Sequence, residues 1–484
     1  MSLIDIKQFE RRIFNGQWIA AAASVPVREP ATGATLFESG LAGKGEVAAA
    51  AKTARAAQRA WAAKPNEERA AIFRKAADLF EQHGEAITPL LMRETGSIPP
   101  KIGVELHMAA GICREAAAMP TQPRGLLLPS DGSRLSIARR VPHGVVGIIS
   151  PFNFPLILSI RAVAPALAAG NTVVLKPDPR TPITGGFLIA RVFEEAGLPA
   201  GCLSVLPGAA EAGEALCSDP NIAMVSFTGS TAVGRKVGEL AGRHLKKVTL
   251  ELGGKNSLVV LEDADVAIAA SNAAWGAFLH QGQICMTTGL VFVHEKVYDA
   301  LTAQLIEKAR HLPVGDPSKG QVALGPIIDE RQIARIGSIV ADTVAAGAKL
   351  EAGGTHEGPF YKPTVLTAVK PGMRSFDEEV FGPVASVVKF SSEDELVALA
   401  THTEYGLSLG VITRDVSRGL ALAERIPTGI VHINDQTVGD EPTIPFGGRG
   451  ASGNGGRHGG PANWEEFAQW QWVTIDGAAH PYPF

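Results

Sequence analysis

The residues with the most chemistry in them are a cysteine, a glutamate and an asparagine, each standing where a backbone element ends. Cys285 closes "FLHQGQIC", after an alanine-rich apolar run and a Gly-Gln turn. A free cysteine is usually inert packing, but as a thiolate it is a nucleophile. Glu251 ends the strand-like "VTLE" and runs into paired glycines, a position where α/β sheets build sites. A partly desolvated carboxylate there has the raised pKa needed to take a thiol proton or to activate water against a thioester; the plainer alternative is a solvated strand-end charge. Asn153, in "SPFNFP", is boxed by two aromatics and two prolines just beyond an apolar run. An amide so held can donate to an oxyanion, although taken alone it is more simply a turn former.

A fourth stretch, "FTGSTAVGRKVG", reads as strand, glycine-bearing turn and helix, and so offers backbone N–H groups and a positive helix end to a phosphate. A P-loop would need Lys at 235 and Ser or Thr at 236, where the chain has Arg235 and Lys236, and no G-x-G-x-x-G is present. The stretch accommodates a dinucleotide without specifying one.

These residues need a scaffold. A chain of 484 residues predicts more than one domain or a large α/β unit with additions. Helical spacing from Val47 to about His83 and from Glu85 to Arg93, with Glu67-Glu68 after Pro65-Asn66 as a helix start, makes the first hundred residues mainly helical. "SRLSIARRVPHGVVGIISP" then predicts strands broken at Pro142, the second apolar enough to be buried. "NTVVLKP", "LSVLPG", "MVSFTGS" and "KVTLELGG" alternate with helical segments, which is the pattern of βαβ units. From about Leu252 to Val438 a second set of strands and helices predicts a second α/β domain. The glycine-dense "PFGGRGASGNGGRHGG" is the one long flexible-looking segment, a loop near a site or a linker.

Composition narrows the class. Lys and Arg total 45 against 49 acids, clustered only in pairs such as Arg139-Arg140, so a nucleic acid is not the expected partner. "MSLIDIKQFERR" lacks the apolar core of a secretory signal, and no charge-free apolar run reaches the roughly 18 residues of a membrane span. No membrane and a cytoplasmic location are expected. Four cysteines without CxxC spacing predict neither a disulfide framework nor a metal site.

Taken in order, "SPFNFP", "VVLKP", "FTGS", "LELGGK", "GQIC", "EEVFGP" and "PFGG" resemble the NAD(P)-dependent aldehyde dehydrogenase superfamily over essentially the whole chain. Glu251 and Cys285 stand 34 residues apart, a spacing similar to that of the family's ELGGK and GQxC motifs. The resemblance implies an α/β fold with a Rossmann-like cofactor domain over 1–120 and 142–251. It also implies a cysteine-bearing catalytic domain over 252–438 that returns to the cofactor domain at about 439–461. A β bridging element over 121–141 and 462–484 would serve a homodimer or homotetramer.

By the same resemblance Cys285 is the nucleophile, Glu251 the general base, and the Asn153 amide with the Cys285 N–H the oxyanion donors. For the cofactor it implies Ile149 and Ser150 at a strand end, Lys176 on the adenosine ribose and Gly208 near the adenine. Gly229, Ser230 and Gly234 would lie near the phosphates, and Glu379 and Phe381 at the nicotinamide ribose and ring. One departure concerns the cofactor: Pro179 stands where NAD-preferring members often carry a glutamate, with Asp178 and Arg180 on either side. NAD, with NADP tolerated, is the expectation.

"LKPDPRTP", "QGQICMTTG" and "GASGNGGRHGG" look like the benzaldehyde dehydrogenase branch, which makes an aromatic aldehyde the expected substrate. Phe152, Phe154, Ile284, Met286 and Phe446 would wall a flat apolar slot beside Cys285. An inward-pointing Arg161 would argue instead for an anionic substrate. Aliphatic or semialdehyde substrates, transfer of the acyl group to coenzyme A, and a non-catalytic protein on the same fold are the alternatives.

Overall fold

The computed structural model describes residues 5–130 and 134–484. Two runs buried at every position, Val145–Ile149 and Thr172–Lys176, the second apolar between its terminal Thr172 and Lys176, lie at the centre of a seven-stranded sheet. A strand covered on both faces is apolar at every position rather than at alternate ones, which is why these runs are continuous. The strand order is Lys247–Glu251, Met224–Thr228, Val145–Ile149, Thr172–Lys176, Leu203–Val205, Arg12–Asn15 and Trp18–Ala20. The first five run parallel; Arg12–Asn15 pairs antiparallel with Leu203–Val205 on one side and with Trp18–Ala20 on the other. From Val145–Ile149 the chain builds outward on one side and then restarts on the other with Met224–Thr228. Open α/β sheets leave a ligand crevice at such a switch, beyond the carboxyl ends of the strands.

Ile149, Lys176, Thr228 and Glu251 are those carboxyl ends. After Ile149 the chain enters the helix Pro155–Ala168, which has proline at its first position and is buried throughout.

Glu251 leads through Leu252–Lys255 into Asn256–Val260, a strand of a second seven-stranded sheet. Its order is Lys349–Ala352, Thr364–Thr367, Val384–Phe390, Thr288–His294, Asn256–Val260, Ser408–Ile412 and Ile430–Ile433, with only Lys349–Ala352 antiparallel. The short link brings the carboxyl edge of the first sheet to the amino edge of the second. Cys285 lies just before Thr288–His294, on that amino edge.

Three antiparallel strands, Gly125–Leu128, Leu135–Pro142 and Ala468–Ile475, form a separate small sheet in the segments expected to bridge subunits. Residues 131–133 of that expected element lie outside the described residues. The sheet exposes Leu126, Leu127, Trp470, Trp472 and Ile475. Among the described residues no helix is long and apolar enough to cross a membrane.

Two expectations need correction. Helices occupy Lys44–Ala63, Asn66–Gln82 and Gly84–Thr95, but four strands precede them between Arg12 and Leu41. These strands carry no clean alternation, and Pro26 sits inside one of them, so their pattern is weak. The glycine-dense stretch is not a flexible linker. Phe446, Ser452 and His458 are buried in it, and a Cβ on Gly447 would lie 2.6 Å from the Gly456 carbonyl oxygen. Glycine is dense there because backbone approaches backbone.

Candidate active site

The cysteine loop is strained and firmly held. After the helix Val266–Phe278, His280 and Gln281 take left-handed φ values of 48° and 55°, and Gly282 follows at 66°. A Cβ on Gly282 would stand 2.1 Å from the Gly382 carbonyl oxygen, so only glycine fits. Such backbone persists only where its surroundings over-determine it. Gln281 Nε2 donates to the Pro326 carbonyl at 2.8 Å, and Gln283 Oε1 accepts the Ile328 N–H at 3.0 Å. Asn256 Nδ2 donates to the carbonyls of Cys285 at 2.8 Å and Thr287 at 3.0 Å, and Thr437 Oγ1 donates to that of Met286 at 2.6 Å.

Asn153 meets this loop from the other sheet. Its Nδ2 donates to the Gln283 carbonyl at 2.8 Å, which fixes the amide beside Cys285 and leaves its second N–H for another acceptor. Glu251 is buried; among the described residues neither carboxylate oxygen accepts a hydrogen bond from a side chain, and the Gly448 N–H is turned towards it. The glycine-dense loop closes over it: Glu251 bridges to Gly453, and a Cβ on Gly447 would come within 2.8 Å of its Oε1.

The electrostatics follow from burial. Desolvation raises Glu251 well above the ordinary carboxylate range, against the pull of the Arg161 and Arg457 guanidinium groups. Desolvation likewise pushes the half-buried Cys285 thiol up to about 12; Glu379 and Glu251 add to the rise, while Arg161 opposes it. The other three cysteines are fully buried. A thiol, an unpartnered high-pKa carboxylate and an oriented amide thus converge where the two sheets meet.

Residues 18–473 match the model of the aldehyde dehydrogenase family. The chain belongs to the aldehyde dehydrogenase family. It is 58% identical over 486 aligned positions to a vanillin dehydrogenase of an Amycolatopsis species, covering 100% of both chains. It is 48% identical to a benzaldehyde dehydrogenase of Pseudomonas putida named for NAD(+), with 98% of each chain covered. Among solved structures, a salicylaldehyde dehydrogenase of Pseudomonas putida G7 in complex with salicylaldehyde superposes with a TM-score of 0.95 at 37% identity, over 98% of this chain and 99% of that one.

In this aldehyde dehydrogenase the residues expected at the cofactor line the carboxyl edge of the first sheet and the loop facing it. Lys176 Nζ donates to the Gly208 carbonyl at 2.8 Å, and the Ser150 N–H to the Lys176 carbonyl at 3.2 Å, beside the buried Ile149. The Gly229 N–H donates to the Glu251 carbonyl at 3.0 Å. Ser230 precedes the helix Thr231–Arg243 without capping it through its side chain, so the first N–H groups of that helix are open to an anion. A Cβ on Gly234 would strike Leu252 at 2.3 Å, which sets the close helix–sheet approach. From the second sheet, Glu379 accepts the Gly254 N–H at 3.2 Å, and burial pushes its pKa up to about 7. Phe381 stands nearby at φ 54°. Uncapped helix donors at a topological switch point, with a lysine, glycines and a carboxylate around them, fit a nicotinamide dinucleotide.

Around Cys285, Ile284, Met286 and Phe446 pack with Leu407 and Ile430, and Phe154 borders them. Phe152 is not in this cluster. It packs edge-on against Phe381 at 6.0 Å under the Arg180 guanidinium at 4.1 Å, so it belongs to the cofactor side. Side chains of neighbouring loop residues point apart, which sequence order does not record. Arg161 does turn inward. It pairs with Asp440, lies 4.4 Å over the Phe446 ring, and has its pKa brought down to about 10 by burial. Asn256, Asp440, Arg457, Leu407 and Ile430 were not picked out from sequence; Asn256, one residue past the "LGGK" motif, is the one for which a signal existed.

Proposed function

We propose that this enzyme oxidises aromatic aldehydes of the benzaldehyde type to carboxylates. The observation that carries the reading is the apolar, phenylalanine-containing cluster around Cys285, which matches a flat ring better than a charged chain. The full-length similarity to vanillin and benzaldehyde dehydrogenases supports it.

In this reading the Cys285 Sγ gives up its proton to solvent water, helped by the Arg161 charge and the Met286 N–H, and attacks the aldehyde carbon. The Asn153 amide and the Cys285 N–H take the developing oxyanion. Ile149, Ser150, Lys176, Gly208, Gly229, Ser230, Gly234, Glu379 and Phe381 would hold NAD(P), which supplies the acceptor for the hydride leaving that carbon. Glu251, with no side chain holding its carboxylate, takes a proton from the water that cleaves the thioester at Sγ. Cleavage releases the carboxylate and restores the thiol.

NAD is the favoured cofactor. Arg180, the cation that a 2′-phosphate would seek, is already held by Asp178 through Nε and Nη2 and by Asp329 through Nη1, at 2.7–2.9 Å. A second substrate reading, a carboxylate-bearing semialdehyde, is favoured by the inward Arg161; Asp440 answers that charge within the protein and weakens the case. Rates of reduced-cofactor formation on benzaldehyde, a short aliphatic aldehyde and a semialdehyde, each with NAD and NADP, test both points. Highest kcat/KM for benzaldehyde with NAD is expected, and highest for the semialdehyde overturns the reading.

The same proposal includes a homodimer or homotetramer assembled through the small sheet, whose exposed Leu127 and Trp472 form apolar surface of the kind partners cover. Trp472→Asp is expected to lower the mass measured by light scattering. A cytoplasmic setting is in keeping with four unpaired cysteines.

A further inference from the structure

Behind the loop that carries Asn153 lies a buried ion pair that the chemistry above does not use. Lys101 and Glu105, one turn apart on the helix Pro99–Ala118, are enclosed and paired through Nζ and Oε1. Lys101 Nζ also donates to the Asn153 carbonyl oxygen at 2.9 Å and stands 4.3 Å from the centre of the Phe154 ring. Glu105 Oε2 accepts the N–H of Leu156 at 3.1 Å and of Ile157 at 3.4 Å, donors that the first turn of the helix Pro155–Ala168 leaves open.

A buried ion pair is weak evidence for stability, because packed apolar residues often do as well. These two residues direct their remaining hydrogen bonds to one short segment, 153–157. The cation holds it at Asn153 and the anion holds it at the helix start, while the Asn153 side chain is tied ahead to Gln283. Phe154 is caught between Lys101 and the buried His280 ring, set roughly perpendicular to it with ring centres 5.3 Å apart, so the segment has little room to turn.

We infer that Lys101 and Glu105 are positioning residues for the oxyanion-binding amide of Asn153, acting through the backbone of residues 153–157. The inference rests on the reading of Asn153 as an oxyanion donor. It adds a second layer of residues, on a helix distant in sequence from every motif, that sets how well that amide is aimed. A misplacement of about 1 Å at a reacting group costs about a hundredfold in rate.

The test is single-turnover formation of reduced cofactor in the full-length enzyme, with saturating cofactor and the best aldehyde of the panel, for Asn153→Ala, Lys101→Met, Lys101→Met/Glu105→Gln and Lys101→Met/Asn153→Ala. The double variant with Glu105→Gln removes both charges but keeps an acceptor for Leu156 and Ile157, so it serves where Lys101→Met alone does not fold. Lys101→Met, or that double variant, is expected to slow the turnover roughly ten- to a hundredfold with cofactor KM unchanged. In the Asn153→Ala background Lys101→Met is expected to add less than about twofold, since the two changes act on one interaction.

Wild-type turnover in Lys101→Met/Glu105→Gln overturns the inference while leaving Asn153 as the donor. An equal slowing by Lys101→Met with and without Asn153 does the same. Wild-type turnover in Asn153→Ala overturns the oxyanion reading itself, and this inference falls with it.

Discussion

Two arginines stacked on phenylalanine rings flank the site, Arg161 buried and Arg180 partly exposed, and their likeness makes the difference between them informative. Arg161 lies 4.4 Å over Phe446 and pairs with Asp440; Arg180 lies 4.1 Å over Phe152 and pairs with Asp178 and Asp329. Burial lowers the pKa of Arg161 to about 10, with Glu251 and Cys285 among the charges that restrain the fall. Burial also works against Arg180, but hydrogen bonds to Asp178 and attraction to both aspartates hold it above its ordinary value. Arg161 therefore projects charge onto the reacting groups. Arg180 is neutralised locally and fastens the loop after Lys176 to the start of the helix Glu330–Ala345 at Asp329. One stacked arginine is an electrostatic element and the other a clasp, and what separates them is which groups they face: Glu251 and Cys285 beside Arg161, Asp178 and Asp329 around Arg180.

The largest effect should come from the group that Arg161 faces. Glu251→Gln removes the base for thioester cleavage and one of the negative charges that raise the thiol, so acylation persists while turnover stops. We expect a burst of one reduced cofactor per active site, followed by a steady rate lower by about 10²–10⁴-fold. A burst-free variant with normal turnover would remove Glu251 from the mechanism. Next is Arg161→Met/Asp440→Asn, which deletes the pair without stranding a buried charge. Arg161 lowers the pKa of Cys285 and Glu251, so its loss raises both, and each unit of rise in the thiol cuts the thiolate about tenfold at fixed pH. A fall of roughly ten- to a hundredfold in kcat/KM is expected, with the alkaline shift of the rising limb of the pH profile as the diagnostic sign. An unshifted profile would make Arg161 a clasp like Arg180.

What was legible in the sequence sorts along the same division. Cys285, Glu251 and Asn153 could be found because each sits at an element end inside a dense motif, and the central strands because burial on both faces makes them continuously apolar. The partners that set their properties could not. Asp440 is 279 residues from Arg161 in the chain, and Asn153 meets Gln283 across 130. No local pattern encodes such pairings. Phe152 faces Phe381 and Arg180 while Phe154 faces the cysteine cluster, because flanking residues in an irregular loop do not follow a helix or strand period. The strands between Arg12 and Leu41 escaped notice because they are half exposed and mixed in polarity.

On the clasp side the effects should be smaller and fall on the cofactor. Arg180→Met releases Phe152, and with it the support behind Phe381, so KM for NAD is expected to rise about tenfold with kcat little changed and no gain in NADP use. A gain with NADP would mean that Arg180 had been directed at the adenosine after all.

The smallest expected effect is a pH dependence that neither arginine controls. Burial pushes Glu379 up to about 7, above its unfolded value near 4.5. A carboxylate that accepts ribose hydroxyls must be ionised, so KM for the cofactor should fall as pH rises through about 7, by up to tenfold per unit below that point. The same shift has the opposite consequence for the protein without cofactor. The fold holds the proton on Glu379 more tightly than the unfolded chain does, so its stabilising contribution is complete below pH 4.5 and is lost as pH rises through about 7. Glu379→Gln should flatten both curves: cofactor KM becomes nearly independent of pH, and Tm falls less between pH 5 and 8. Part of the Tm decline should survive in that variant, because burial also pushes Glu94 up to about 7, where it accepts the N–H groups of Ile183 and Thr184. A cofactor KM that keeps its full pH dependence in Glu379→Gln would move the titrating group elsewhere, with Lys255, brought down to about 8 by burial beside Glu379, as the next residue to change.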